Sequence, residues 1–534
     1  MPFYGEKAEN YHSLSFSLAS YPMLISDHLL LNYKRCHRRT FLEIYGNLRN
    51  KEPEKDFLNK LKRENQAHIN NVIKARSLNP LKPQASRQDL HLNTQQTIDL
   101  MGQGVQCITR GTLSLSYARW QSALENSIFT HLSLNSRTDW LSKIIFSAAP
   151  SLLVKQPGES RFGNWEYIPV NIKLGRKAKP EYKLIAAFHA QILSIIQEKV
   201  PKRSQLILKD HNEHYVNLDH WLTKMQDIVA ECLVMLANRQ EPEVFISRQR
   251  CNLCNWHSYC YGVAQSTKHL SLVPGVTPKR YEYLQQLGIN TIESLIAVPE
   301  TNISEMLGED IARQLKQQAA AIADDRAVVR SSFDLINTQP IPSGAIELYF
   351  DIEAEPERQT DYLLGVLLVD RAANTEKFYA FLAEKLEDEG KIWQEFLDFI
   401  ALYPDAPIFH YSEYEVDTIK RLARLYGTPK AQRKEVLSRL VDLHLWVTEA
   451  VIFPVESYSL KALANWIGFY WRETTGSGDQ SVCWYDQWLN TQDRSLLDLI
   501  LSYNEDDCRA TRYLKDWLLD FLEDHRNRLL MINS

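Results

Sequence analysis

Nowhere in the 534 residues is there a run of about 18 apolar side chains, so no segment reads as a membrane-spanning helix. The P-loop pattern G-x-x-x-x-G-K-[ST] is also missing, which excludes a built-in nucleotide-driven motor. Glycine and proline are modest, 19 and 21 residues, and neither an internal repeat nor a low-complexity tract interrupts the chain. The start, Met1-Pro2-Phe3-Tyr4-Gly5-Glu6-Lys7, lacks the charged-then-apolar layout of a secretory leader, and the expected location is the cytoplasm. What remains is a composition of soluble type, 44% hydrophobic and 24% charged, in a chain too long for one core. Several domains are expected, all with mixed α/β character.

The net charge of −5 conceals a split. Residues 331–534 carry 35 acids and 20 bases, whereas residues 1–330 carry 31 acids and 41 bases. The N-terminal part is therefore suited to a polyanion, and the C-terminal part keeps carboxylates for another purpose. Apolar spacing predicts helices over Phe57–Ala75 and Tyr182–Gln197, and strands at Ser151–Val154 and Trp165–Ile168. Gln339-Pro340-Ile341-Pro342-Ser343-Gly344 reads as a linker. From Ala345 the order is three strands followed by several helices.

Cys251, Cys254 and Cys260 follow the spacing C-x2-C-x5-C. Thiolates this close repel one another unless a metal holds them. A fourth ligand is needed, and Cys36 in Arg35-Cys36-His37-Arg38 is the best candidate; Cys107, Cys232, Cys483 and Cys508 sit in apolar or helical surroundings and read as core. The pattern points to a metal, either an iron–sulfur cube or zinc. One cysteine far upstream and three close together downstream resembles the iron–sulfur-stapled RecB-like nucleases. That resemblance implies a PD-(D/E)XK restriction-endonuclease-type α/β core over residues 1–265, with a structural [4Fe–4S] cluster on Cys36, Cys251, Cys254 and Cys260.

The family wording continues between the cysteines. His68 follows Glu64-Asn65-Gln66-Ala67, Ser151 follows Pro150, and Asn171-Ile172-Lys173 stands where an acid-x-Lys is required. In a strand, positions i and i+2 share a face, so the acid and the lysine meet at one metal. Here Ser151 and Asn171 are neutral, and hard cations need carboxylate oxygens. The resemblance therefore implies a degenerate site built of His68, Ser151, Asn171 and Lys173. Arg176, Lys177, Lys179 and Lys183 remain as phosphate-binding bases.

Over residues 266–337, Leu272-Val273-Pro274-Gly275-Val276 followed by Leu284 to Ile292 resembles a helix–hairpin–helix unit. Gly275 would let backbone N–H groups approach a phosphate, and Asn290 with Glu293 reads as a helix start.

Residues 338–534 hold the catalytic candidates. Ile346 to Glu353 is strand-like and ends on Asp351 and Glu353, at i and i+2. Tyr503 and Asp507 are i and i+4 on one helix face. In this order the residues resemble the DEDDy exonucleases of the ribonuclease H-like fold. The resemblance implies two Mg²⁺ or Mn²⁺ ions on Asp351, Glu353 and Asp507, with Tyr503 orienting the attacking water. Glu415 stands at the middle acid, although the Asn expected four residues earlier is Tyr411. Asp442 matches a supporting acid or, equally, a helix cap.

Together the three parts resemble a bacterial RecB-like nuclease family fusing these domains, a likeness extended by Ser459-Leu460-Lys461-Ala462-Leu463 and Trp466-Ile467-Gly468-Phe469. The expected partners are DNA or RNA and a helicase or repair protein, with no membrane; oligomeric state is not legible. Two rival readings stay open: a non-catalytic nucleic-acid-binding adaptor, and a RecB-type nuclease using an unrecognised acid.

Overall fold

The computed structural model describes residues 22–124 and 138–532; the Met1–Lys7 start lies outside them. The chain divides into one unit of Met1–Glu52 with Leu61–Glu243 and a second of Pro53–Lys60 with Val244–Ser534. Both are mixed α/β. Among the described residues no helix is long and apolar enough to cross a membrane.

The first unit contains strands β1 (Met23–Ser26), β2 (Cys107–Thr109), β3 (Leu113–Ser116), β4 (Ile144–Ala148), β5 (Leu152–Ser160), β6 (Gly163–Ile172), β7 (Ser204–Ile207) and β8 (Glu213–Val216). They form a three-stranded sheet β1-β4-β3 and a five-stranded sheet β2-β5-β6-β7-β8. Of the strands expected at Ser151–Val154 and Trp165–Ile168, Leu152–Val154 opens β5, with Ser151 just before it, and Trp165–Ile168 lies in the middle of β6, its partner in a longer hairpin. β6 and β7 are parallel, and such a pair needs a crossover. The helix Pro180–Gln197 supplies it, starting on a proline in its first turn and ending on Glu198 in the left-handed region. Leu184 to Leu193 is buried without a break, so this helix has core on nearly every side.

In the second unit, after the helices Arg248–Cys251 and His257–Ser266, four helices, Pro278–Gln286, Ile292–Ala297, Glu300–Leu307 and Glu309–Asp324, pack around Leu270, Leu284, Leu295 and Leu315. The second of these starts one residue later than expected. Thr291 is its N-cap, in a reciprocal capping box with Ser294, and Glu293 is an exposed first-turn acid. Gln318 Nε2 donates to the Phe453 carbonyl at 2.6 Å and Trp466 Nε1 to Asp325 at 2.8 Å, which docks these helices on the domain that follows.

That domain has strands β9 (Val328–Val329), β10 (Ile346–Glu355), β11 (Thr360–Asp370), β12 (Thr375–Leu382), β13 (Ile408–His410), β14 (Leu440–Asp442) and β15 (Val451–Ile452). Five of them form a sheet ordered β12-β11-β10-β13-β14. β10, β11 and β12 are the antiparallel meander that the sequence announces. β13 and β14 add to β10 in parallel; each is three residues long, too short for an alternation to register. β10 is thus central and β11 is buried along nearly its whole length. Packed on the sheet are Glu389–Ala401, Gly478–Thr491 and the 39-residue helix Arg494–Ile532. Cys107, Cys232, Cys483 and Cys508 are all buried, as their surroundings indicated. Asp442 acts as a cap, its carboxylate accepting the His444 N–H at 2.8 Å.

One residue of the Pro53–Lys60 segment is tied to the central strand. Lys60 Nζ lies 2.9 Å from Glu355 at the end of β10, with 1% and 0% of the side chains exposed. Removing one member of a buried ion pair leaves a desolvated charge. Lys60→Met is expected to destabilise the chain by about 3–5 kcal/mol, and Lys60→Met with Glu355→Gln to recover much of that. Denaturant unfolding of the two variants checks the expectation; equal losses in both would show that the ion pair does not set the cost.

Candidate active site

The carboxylates are brought together by two elements. Alternation along β10 puts Asp351 and Glu353 on one face. The helix Arg494–Ile532 carries Tyr503 and Asp507 on one side, one turn apart. One oxygen from each of Asp351, Glu353 and Asp507 lies within 4.8 Å of the others, which is metal-ligand spacing. Burial, followed by the charges of the neighbouring acids, raises the pKa of Asp351 well above the ordinary carboxylate range. Burial and then Asp507 do the same to Glu353, and burial raises Asp507. Three mutually repelling carboxyls at one point constitute a site that a cation stabilises.

The surroundings hold each acid in place. Trp471 Nε1 donates to Asp507 Oδ1 at 2.8 Å, and Asn504 Nδ2 donates to Asp351 Oδ2 at 2.7 Å. Glu353 is hydrogen-bonded to Ser481, which is itself 2.5 Å from the Tyr362 hydroxyl. Arg472 grips the same helical turn through Asp506, with backbone N and Nε both at 2.8 Å. Tyr503 hydrogen-bonds Asp507, and burial, then the Asp507 charge, raises its phenol above the ordinary range. Gly476 makes room for that ring: a Cβ there would come within 2.5 Å of Tyr503 Cδ2. Trp471, Arg472, Ser481 and Asn504 were not picked out from the sequence. Trp471 and Asn504 sit next to residues that were, at Phe469 and Tyr503.

Glu415 is placed near this group but engaged elsewhere. It is buried, its charge reaches Asp351, and its Oε2 accepts from Ser412 Oγ at 3.2 Å with His410 Nδ1 at 3.5 Å. The turn that presents it is strained: Ser412 has φ 131° and ψ 173°, a region that suits glycine. Tyr411, at the position expected for Asn, sends its hydroxyl away to the Tyr458 carbonyl at 2.6 Å.

In the first unit the β5–β6 register, Leu152 opposite Val170, brings Ser151 beside Asn171 and Lys173. Ser151 Oγ accepts the Ile172 N–H at 3.0 Å, and Asn171 Nδ2 is buried with no hydrogen-bond partner. His68 donates to the Leu208 carbonyl at 3.1 Å, and its ring stands edge-on to His211. Glu166 is fully buried five residues from Asn171, hence on the opposite face of β6. An acid that the sequence did not single out does reach this region. Asp27 Oδ2 lies 3.0 Å from His189 Nε2 and accepts the Ala149 N–H at 3.4 Å. Lys173 is half-buried; desolvation lowers its pKa, while the Asp27 charge opposes that shift. Asp27 comes from residues far from the motif, so no spacing rule could have found it. Arg176, Lys177 and Lys179 are exposed, and Lys183 stands 6.0 Å from the Trp221 ring.

The three nearby cysteines belong to the second unit and Cys36 to the first; all eight cysteines are free of disulfides. Cys251 Sγ accepts the Ser247 N–H and Cys36 Sγ the Arg39 N–H, each at 3.4 Å. Gly275 has φ +94°, and its carbonyl accepts from Arg280 Nη1 at 2.7 Å.

A β12-β11-β10-β13-β14 sheet with converging acids on its central strand and on a packed helix, Glu353 buried and Asp351 and Asp507 half-buried, has the arrangement of an RNase H-like domain. Residues 348–519 match the family model RNase_H_2, described as RNase_H superfamily. No curated protein matches the chain.

Because the three acids repel one another, relieving the repulsion should stabilise the metal-free fold. Asp507→Asn keeps an oxygen for Trp471 and is expected to raise the thermal midpoint in chelator. In excess Mn²⁺ the order should reverse, since a ligand at a hundredfold its Kd stabilises the folded state by about 2.7 kcal/mol. Calorimetry with and without Mn²⁺ tests this, and an unchanged order in the two conditions would refute it.

Proposed function

We propose that this chain is a metal-dependent nuclease that removes nucleotides from the 3′ end of DNA or RNA through its RNase H-like domain. The observation that carries the reading is the convergence of Asp351, Glu353 and Asp507, one ligand oxygen each within 4.8 Å. The donor set fits hard divalent cations: oxygen-only, partly buried and electrostatically unsatisfied. When bound there, Mg²⁺ or Mn²⁺ would polarise a phosphodiester and stabilise the charge that builds on its oxygens. Asp351, Glu353 and Asp507 are the proposed ligands, with Glu415 as an outer acid.

The chain's own groups have separable tasks. Tyr503 keeps its proton, because burial and Asp507 hold the phenol above its ordinary range. It is therefore a donor, suited to orienting a water and unsuited to accepting that water's proton. Trp471 and Asn504 limit the rotation of Asp507 and Asp351, so the ligands are arranged before substrate arrives.

The first unit is proposed as a RecB-like platform that binds nucleic acid without cutting it, joined through a hairpin module to the nuclease. Support comes from neutral Ser151 and Asn171, and from Asp27 being already engaged by His189 and Lys173. The exposed Arg176, Lys177 and Lys179 offer charge at the start of the helix Pro180–Gln197. Cys36, Cys251, Cys254 and Cys260 are the proposed ligands of a [4Fe–4S] cluster, with zinc as the alternative. The N–H groups aimed at Cys36 and Cys251 suit thiolate ligands.

Three outcomes test these assignments. Asp351→Ala should cost roughly a thousandfold in cutting rate, about 4 kcal/mol, and Tyr503→Phe less, in Mn²⁺-supported assays on end-labelled strands. Parent-like cutting by both Asp351→Ala and Asp507→Ala would rule out the proposed site. Replacing Arg176, Lys177 and Lys179 together by alanine should leave the rate alone and reduce the log–log salt slope of binding by about 2 to 3. Protein purified without oxygen should be brown, with the colour lost in Cys251→Ser; a colourless protein holding zinc would remove the iron assignment.

A further inference from the structure

Gly365 lies directly opposite Asp351 in the β10–β11 register. Its backbone is not in the left-handed region, so conformational freedom does not explain a glycine there. Space does. A Cβ at 365 would stand 1.7 Å from Asn504 Oδ1 and 2.8 Å from Asn504 Cγ, a separation that real atoms cannot adopt. The strand has given up a side chain so that one from the helix Arg494–Ile532 can enter. Asn504 is fully buried in that notch. Its Nδ2 donates to Asp351 Oδ2 at 2.7 Å, while its Oδ1 is buried with no hydrogen-bond partner.

An orphaned buried acceptor is costly, and proteins rarely keep one without a reason. Here the reason lies at the other end of the same amide. The nitrogen must face the carboxylate, because the reverse orientation would set oxygen against oxygen. With the nitrogen on Asp351, the amide oxygen is left in the Gly365 notch, where it finds no donor. Leucine would fill the notch but offer no hydrogen, and aspartate would add another negative charge to an already repelling group. Asparagine meets both demands.

We infer that Asn504, seated in the space left by Gly365, is a positioning residue that fixes the orientation of Asp351. Holding Oδ2 leaves Asp351 one oxygen to offer the Glu353–Asp507 group. One step further along the helix, Cys508 Sγ contacts the Gly365 carbonyl at 3.6 Å, so the helix meets this strand position at two successive turns. The inference deepens the metal reading of the site and rests on it.

The test uses the full chain and reads Mn²⁺ affinity by electron paramagnetic resonance of free Mn²⁺. The thermal midpoint in chelator serves as the folding control. Asn504→Ala should fold and bind Mn²⁺ about tenfold to a hundredfold more weakly, the loss typical of removing a group that orients a metal ligand. Asn504→Asp, of the same shape, should not rescue it. Gly365→Ala should produce a similar loss by expelling the amide. The decisive variant is the double, Gly365→Ala with Asn504→Ala. Because the new Cβ then meets no amide and only the edge of the Phe378 ring, at 3.0 Å, which a small shift of that ring relieves, it should bind no worse than Asn504→Ala alone. Multiplying losses in the double variant would show that Gly365 acts independently of Asn504. Parent-like Mn²⁺ affinity in Asn504→Ala would overturn the positioning role and leave the metal site standing. Absence of Mn²⁺ binding by the parent itself would overturn the metal reading and this inference with it.

Discussion

The constraint on which the RNase H-like domain depends is electrostatic: three carboxylates must be held within a few ångströms of one another, away from water. Left to themselves Asp351, Glu353 and Asp507 would separate. Their closeness is maintained by packing and by donors from outside the group. Trp471, Asn504 and Ser481 each address one acid. A protein that only needed stability would have placed apolar side chains here. The closeness of these acids therefore works against stability, a cost that proteins commonly carry at functional sites.

Holding the acids together is chiefly a matter of locking one helix against one strand. The Arg494–Ile532 helix is pinned to β10 at two points. Near the middle of the strand Asn504 reaches Asp351. Near its start Lys515 Nζ meets Glu347 Oε1 at 2.7 Å, inside a network with Arg371, Tyr349 and Asp516. The spacings agree with antiparallel packing. Eleven helical residues rise about 16 Å and four strand residues span about 13 Å. With both points fixed, the turn carrying Tyr503 and Asp507 cannot slide along the sheet. Lys60 contributes at the far end of the same strand, through Glu355. Acids are thus distributed along β10 in two roles: Glu347 and Glu355 are paired with cations and structural, whereas Asp351 and Glu353 between them are left for a ligand.

The first unit shows the opposite solution to a similar arrangement. There Lys173 directly follows β6, near neutral Asn171 and Ser151, and the nearby acid, Asp27, is satisfied by His189 and by a backbone N–H. The Asp27 carboxylate is thus engaged by groups of its own unit.

How much of this was legible beforehand depends on range. Local patterning located the three strands β10–β12, segments of β5 and β6 and the helix Tyr182–Gln197, because a 3.6 or a 2.0 residue repeat is a local property, whereas how the strands pair was not legible. The i, i+2 and i, i+4 spacings likewise paired Asp351 with Glu353 and Tyr503 with Asp507. The three-residue strands β13 and β14 escaped notice, since pairing to β10 and not their own pattern makes them strands. Capping shifted the start of one helix to Thr291, as a Thr–Ser reciprocal pair outcompeted the Asn–Glu alternative.

The residues themselves determined which groups could do chemistry: acids on a strand and on a helix, neutral Ser151 and Asn171 beside Lys173, and three thiols within ten residues. Only the tertiary structure decided what each of them faces. Nothing in the chain order says that Asn504 fits a notch at Gly365, that Trp471 reaches Asp507, that Asp27 arrives beside Lys173, or that Glu415 is drawn to Ser412 and His410. Those partners are separated by tens to more than a hundred residues, apart from the strained turn at Ser412. Contacts of that range are set by how sheets and helices pack, and packing is a property of the whole core that no local pattern encodes.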